Sequence, residues 1–100
     1  MAFDIIYEPL ALKEYINAVL WYKEQSEVAA SKFVAEVNDK LLSISLTPFR
    51  FKNKFKYFHE VSLKKFPFYI VYFIDAREKK IIITAIYHHK RNPNKKYHRS

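Results

Sequence analysis

The sequence predicts an α+β fold in which an antiparallel helical hairpin covers a curved antiparallel sheet. Three observations predict it. Apolar residues recur at helical spacing through the first half of the chain. After Pro48 they change to alternation and to continuous apolar runs, the period of strands. The links between those later runs are short, which favours antiparallel neighbours. The order is β-α-α-β-β-β.

Each element has its own signal. Phe3 to Tyr7 is a short apolar run broken only by Asp4, a strand. Pro9 suits the first position of a helix. Leu12, Tyr15, Ile16, Val19 and Tyr22 then fall on one helical face. This helix is expected to fade near Gln25, and Ser26 to cap the next one. There Ala30, Phe33, Val34, Val37, Leu41 and Ile44 form an amphipathic stripe. Pro48 stops it by pushing Thr47 out of helical geometry. Tyr57 to Leu63 alternates, and Phe66 to Ile74 is apolar throughout, as a strand covered on both faces should be. Asp75 to Lys80 is a charged turn, and Lys80 to His88 is the last strand. The end of the chain from His89 is polar and basic, and its tip, 92–100, has the composition of a flexible tail. No repeat or linker interrupts the pattern, so residues 1–100 read as one domain.

What is missing narrows the function. There is no cysteine, which excludes disulfides and thiolate metal sites. There is no glycine, which excludes phosphate-cradling loops, dinucleotide fingerprints and the nucleophile elbow. It also removes Asn-Gly hairpin turns, so longer connections between strands are expected. The first residues carry no basic n-region. The longest apolar run, Phe66 to Ile74, has nine residues, against about twenty for a membrane span. The expectation is a cytoplasmic protein without membrane or cofactor.

The charge is unevenly spread. Residues 1–46 hold four lysines against seven acids, a balance of −3. Residues 47–100 hold fourteen Lys and Arg against three acids, a balance of +11. Such asymmetry points to a polyanion or an acidic protein segment as partner of the second half.

The two helices, the run Phe66-Pro67-Phe68-Tyr69-Ile70-Val71-Tyr72 and the ending Ile83 to His88-His89-Lys90-Arg91-Asn92-Pro93 together resemble the RelE/ParE superfamily of toxins from bacterial toxin–antitoxin pairs. The Trp21-Tyr22 pair near the end of the first helix is similar as well. The resemblance implies a neutralising antitoxin, acidic and partly disordered. It implies one of two targets, DNA gyrase or messenger RNA on the ribosome.

A metal-free ribonuclease needs a base for the 2′-hydroxyl, an acid for the leaving 5′-oxygen and cations for the transition-state charge. His88, Arg91 and Tyr97 are the candidates. In the RNA-cleaving branch an Arg and a Tyr stand six residues apart in this region, as Arg91 and Tyr97 do. The resemblance would have Arg91 stabilise charge and Tyr97 orient or activate the 2′-hydroxyl. The departures are heavier. Glu60, Ser62 and Tyr69 occupy positions that are basic in that branch, and His59 stands where an Arg is expected. The Phe-Pro-Phe start of the strand and the His-x-x-Arg-x-Pro ending are closer to the ParE side, whose members poison gyrase. We therefore expect a ParE-like gyrase inhibitor first, a RelE-like ribosome-dependent RNase second, and a non-toxic basic nucleic-acid-binding domain third.

Other residues carry weaker signals. His88 and His89 point to opposite faces if the strand is regular, so they are not expected to share a metal, and no metal site is expected. Lys52, Lys54 and Lys56 alternate with aromatics. If extended, they share one face and form either a phosphate-binding stripe or a charged edge strand. Lys64, Lys65 and Lys90 are further candidates for target or phosphate contact. Trp21 and Tyr22, with Phe66, are the candidate partner-binding aromatics, although helical spacing also suits them to a core.

Overall fold

The computed structural model describes residues 2–90. Its elements are β1 (Asp4–Tyr7), α1 (Pro9–Gln25), α2 (Glu27–Leu46), a 3-10 turn (Pro48–Arg50), β2 (Asn53–Phe55), β3 (Phe58–Ser62), β4 (Phe68–Asp75) and β5 (Lys80–His88). The five strands form one sheet in the order β1-β5-β4-β3-β2. The expected α+β architecture is present, with the short edge strand β2 added to the expected order. The end at 92–100 lies outside the described residues.

One residue joins the two helices. Ser26 has an extended backbone; its N–H donates to the Tyr22 carbonyl at 2.8 Å, closing α1. Its Oγ accepts the Ala29 N–H at 3.2 Å, opening α2. Pro9 stands at the start of α1, where its missing N–H costs nothing. At the far end of α2, Thr47 turns both its N–H and its hydroxyl onto the Ser43 carbonyl before Pro48.

The main core lies between the hairpin and one face of the sheet. α2 contributes Phe33, Val37 and Ile44, and the sheet contributes Val61, Ile70, Tyr72, Ile81, Ile83 and Ile86. Phe33 is a hub of rings, with Tyr22 at 5.1 Å, Phe66 at 5.2 Å and Phe68 at 5.3 Å. Aromatic pairs of this kind add about 0.5–1.5 kcal/mol beyond their buried area.

Three features depart from the expectations. The buried side of α1 is set by Ala11 and Ala18, with Tyr15, Val19 and Tyr22 half-buried, while Leu12 and Ile16 face solvent. Small side chains let this helix sit close to the strands, so alanine outranks leucine there. The sheet is mixed rather than wholly antiparallel, because β1 runs parallel to β5 from Asp4↔Lys80 to Tyr7↔Ile83. Beyond β1, the Ile86 N–H on that edge donates to Glu14 Oε1 at 3.0 Å. Finally, the β2–β3 connection is tight without glycine, whereas the β4–β5 turn falls where expected. Only Lys56 and Tyr57 separate β2 from β3, and Lys56 takes φ 52°. Lys79, in the β4–β5 turn, takes φ 54°.

A bulge governs the site. The β4–β5 register runs Val71↔Ala85 and then Tyr72↔Ile83, which leaves Thr84 unpaired. Its hydroxyl donates to the Val71 carbonyl at 3.3 Å. Ile81 and Ile83 face the helices before the bulge, and Ile86 faces them after it. Ala85 and Tyr87 are thereby turned to the opposite face.

Candidate functional site

The face of the sheet away from the helices is built from β3, β4 and β5. Ser62 pairs with Tyr69, and Tyr69 pairs with Tyr87, giving one row across three strands. The adjacent row is Glu60, Val71 and Ala85. Glu60 is buried, at 9% exposure, despite being an acid on a sheet face. His89 completes the first row. Its N–H donates to the Pro67 carbonyl at 2.8 Å, which carries the strand direction one residue past β5. Its ring lies 4.1 Å from that of Tyr69, and Nε2 is 3.2 Å from Ser62 Oγ. The Ser62 hydroxyl also reaches the Leu63 carbonyl at 3.3 Å.

His88 lies on the other face. Its ring stands edge-on to Phe68 at 5.0 Å, and Nδ1 accepts the Lys90 N–H at 3.0 Å. It lines an apolar groove of about 430 Å³ with Ala18, Trp21, Tyr22, Pro67 and Phe68. The two histidines therefore sit on opposite sides of the sheet, as adjacent strand residues should. The bulge at Thr84 selects which side each takes. The histidine beside Ser62 and Tyr69 is His89, which the sequence reading did not choose. Simple alternation from Ile81 and Ile83 would have turned His89 toward the helices, so no periodic signal could have found it.

The aromatic candidates separate by exposure. Trp21 is 57% exposed and meets Tyr22 edge-on at 5.1 Å. Tyr22 and Phe66 belong to the ring cluster around Phe33. The lysine candidates separate by backbone. Lys52 precedes β2, Lys54 stands at a register shift in it, and Lys56 occupies the turn, so regular extended alternation does not hold across the three. All three are exposed, and Lys56 Nζ lies 5.4 Å from the Phe55 ring centre. Lys64 and Lys65 line a cleft along α2 with Glu36, Asp39 and Ser43. Their N–H groups both donate to the Glu36 carboxylate. Lys90 is exposed just after β5. Arg91 and Tyr97 lie outside the described residues.

Among the described residues no group of three His, Asp or Glu could hold a metal ion. No described helix is long and apolar enough to cross a membrane. The shifted ionisations belong to the core side. Burial, with a smaller contribution from the neighbouring Tyr15, pushes the Tyr7 phenol up to about 12. Burial also raises Tyr15, Tyr22 and Tyr72.

A helical hairpin packed on one face of a five-stranded sheet is the fold of the RelE toxins. The chain superposes with TM-score 0.66 on a double arginine-to-alanine mutant of the E. coli toxin RelE in the free state, at 13% identity, covering 97% of this chain and 92% of that one. The isolated E. coli RelE toxin gives TM-score 0.64 at 12% identity, over 96% and 94% of the two chains. A RelBE toxin–antitoxin complex from Mycobacterium tuberculosis gives 0.58 at 13% identity, over 88% and 99%. No curated protein matches the chain. The family model for the ParE toxin of the type II toxin–antitoxin system parDE matches residues 5–93. The chain belongs to this ParE toxin family, within the RelE/ParE superfamily of type II toxins.

Proposed function

We propose that the chain acts as a single-domain, ParE-like toxin in the cytoplasm, inhibiting growth by binding DNA gyrase and held inactive by a cognate antitoxin. The family match supports the ParE side of the superfamily. The observation that carries the reading is the composition of the sheet face away from the helices, where Glu60, Val71, Ala85 and Tyr87 are buried. Its central positions are Glu60, Ser62, Tyr69, Val71, Ala85 and Tyr87, with no Lys or Arg among them. Cleavage of RNA without a metal gains most from cations set in advance around the transferring phosphoryl group, and losing one such donor typically costs about a hundred- to a thousandfold in rate. These positions supply none of that charge, which favours the protein-binding toxin over the RNase.

The antitoxin is expected to be acidic, partly disordered and ordered on contact. The basic balance of residues 47–100 and the apolar groove beside exposed Trp21 support this partner. The RelBE relative is a toxin–antitoxin complex, which supports the same arrangement.

A second reading is favoured by His89. Its contact with Ser62 and Tyr69 puts a proton-transfer group on the face where an RNase would work. The deciding experiment induces the chain in growing cells and follows plasmid supercoiling and gyrase-mediated DNA cleavage beside transcript mapping. Gyrase poisoning with intact transcripts is expected. Codon-phased transcript cleavage with normal supercoiling would replace the first reading by the second. Normal growth on induction would remove both.

A further inference from the structure

We propose that the tip of the β2–β3 hairpin binds single-stranded nucleic acid, stacking a base on Tyr57 and holding phosphates with Arg50, Lys52, Lys54 and Lys56. This surface is distinct from the row of Ser62, Tyr69 and Tyr87 and from the Trp21 groove, and the proposal does not depend on the gyrase reading.

The charge is concentrated and unopposed in sequence. Between Lys40 and Glu60 the chain has these four cations and no acid. All four residues are exposed. The β4–β5 turn lies at the same end of the sheet and adds Arg77 and Lys79. The acids of that turn are engaged locally: Asp75 Oδ1 accepts the Glu78 N–H at 3.1 Å, and Glu78 pairs with Lys80 at 3.8 Å.

Tyr57 supplies what charge alone does not. It is 62% exposed, although large aromatics are normally covered. It is nevertheless supported from below. Its ring lies 4.7 Å from Phe58 at a 34° tilt and 5.7 Å from Phe73 at 82°. A ring braced on one side and open on the other is a ready stacking platform, with little side-chain freedom left to lose on binding. Lys56 lies over its neighbouring ring, 5.4 Å from Phe55, which holds this cation at the tip, while Arg50, 5.6 Å from Phe51, extends the basic track at the far end of β2.

The geometry selects single strands. A hairpin tip presents neither a helix nor a long ribbon to a groove, and the bases of a duplex are unavailable for stacking. Every base has a π face, so sequence preference should be weak. DNA and RNA single strands share this chemistry.

The test uses the full chain with labelled oligothymidylate and oligouridylate of about twelve nucleotides, within the span such surfaces cover. A duplex of equal length and a polyglutamate of equal charge serve as competitors. Binding of either single strand in preference to both competitors is expected. Tyr57→Ala should weaken it roughly ten- to a hundredfold, with Tyr57→Phe close to wild type. Replacing Lys52, Lys54 and Lys56 together by Gln should reduce the slope of log affinity against log salt by about two. Melting should stay unchanged in Tyr57→Phe and the lysine variant, and fall only modestly in Tyr57→Ala, which loses ring contacts with Phe58 and Phe73 but remains folded. Equal affinity for polyglutamate or duplex, or an unaltered affinity in a folded Tyr57→Ala, overturns the proposal.

Discussion

The imidazole of His59 lies flat on the buried ring of Tyr72, with 5.1 Å between centroids and 13° between planes. Both side chains also hold the segment that leads from α2 into the sheet. The Tyr72 hydroxyl donates to the Pro48 carbonyl at 2.7 Å, and His59 Nδ1 lies 2.9 Å from the Phe51 carbonyl. Tyr72→Phe should lower stability by about 1–2 kcal/mol, because it leaves a buried carbonyl without its partner. His59→Ala should lower it by a similar amount. The double variant should lose less than the sum, since the residues share one stack. Denaturant unfolding of the three variants checks this.

Alkaline pH should unfold the protein through its buried phenols. A tyrosine whose folded pKa lies above the unfolded value of about 10 stays protonated when the unfolded chain has begun to ionise. Its contribution is complete below pH 10 and is lost as the pH rises through the folded value. For Tyr7 the loss runs from about 10 to about 12. Tyr15, Tyr22 and Tyr72 act in the same direction. The melting temperature should fall across that window, and less steeply in Tyr7→Phe.

The two left-handed lysines invite stabilisation. A side chain at positive φ brings Cβ close to the following carbonyl, at a cost of about 1–2 kcal/mol that glycine avoids. Part of that gain is offset by the greater freedom of glycine in the unfolded chain. Lys56→Gly and Lys79→Gly should each raise stability by about 0.5–1 kcal/mol, as read from denaturant midpoints at constant slope.

Trp21 and Tyr22 should separate in their effects. Trp21→Ala removes a mostly exposed ring beside the groove. It should weaken binding of the antitoxin by about 2 kcal/mol, the loss expected of an aromatic anchor, and leave melting nearly unchanged. Tyr22→Ala removes a ring packed on Phe33, Phe66 and Phe68, and should cost about 3–5 kcal/mol of folding stability. Calorimetric titration and thermal melting of the two variants distinguish these roles.

Much of the fold was legible in the chain because its two halves have different periods. The α2 stripe of Ala30, Phe33, Val37 and Ile44 is buried as expected, and β5 spans the expected residues Lys80–His88. The orientation of α1 was not legible. Leu12, Ile16 and Leu20 offer one apolar stripe and Ala11, Ala18 and Val19 another, and hydrophobicity prefers the wrong one. Close packing on the strands selects the small residues. The β4–β5 turn was expected, but the two-residue turn at Lys56-Tyr57 was missed because Gly was taken as necessary for so tight a hairpin, whereas Lys56 adopts positive φ under the constraint of the paired strands. The site depended on Thr84. One unpaired residue reverses the parity of everything after it, and His89 rather than His88 joins Ser62 and Tyr69.

The parallel seam between β1 and β5 has a consequence for biosynthesis. Asp4 leaves the ribosome well before its partner Lys80, with both helices and three strands made in between. Contacts this distant in sequence are slow to form and are made after local ones. The helical hairpin can assemble early, because α1 and α2 are adjacent and joined at Ser26. The sheet cannot be sealed until β5 has appeared and β1 has come back to it. A nascent toxin is thus an unfinished one: the earliest of the five strands waits longest for its neighbour, and the sheet closes only after β5 has been made.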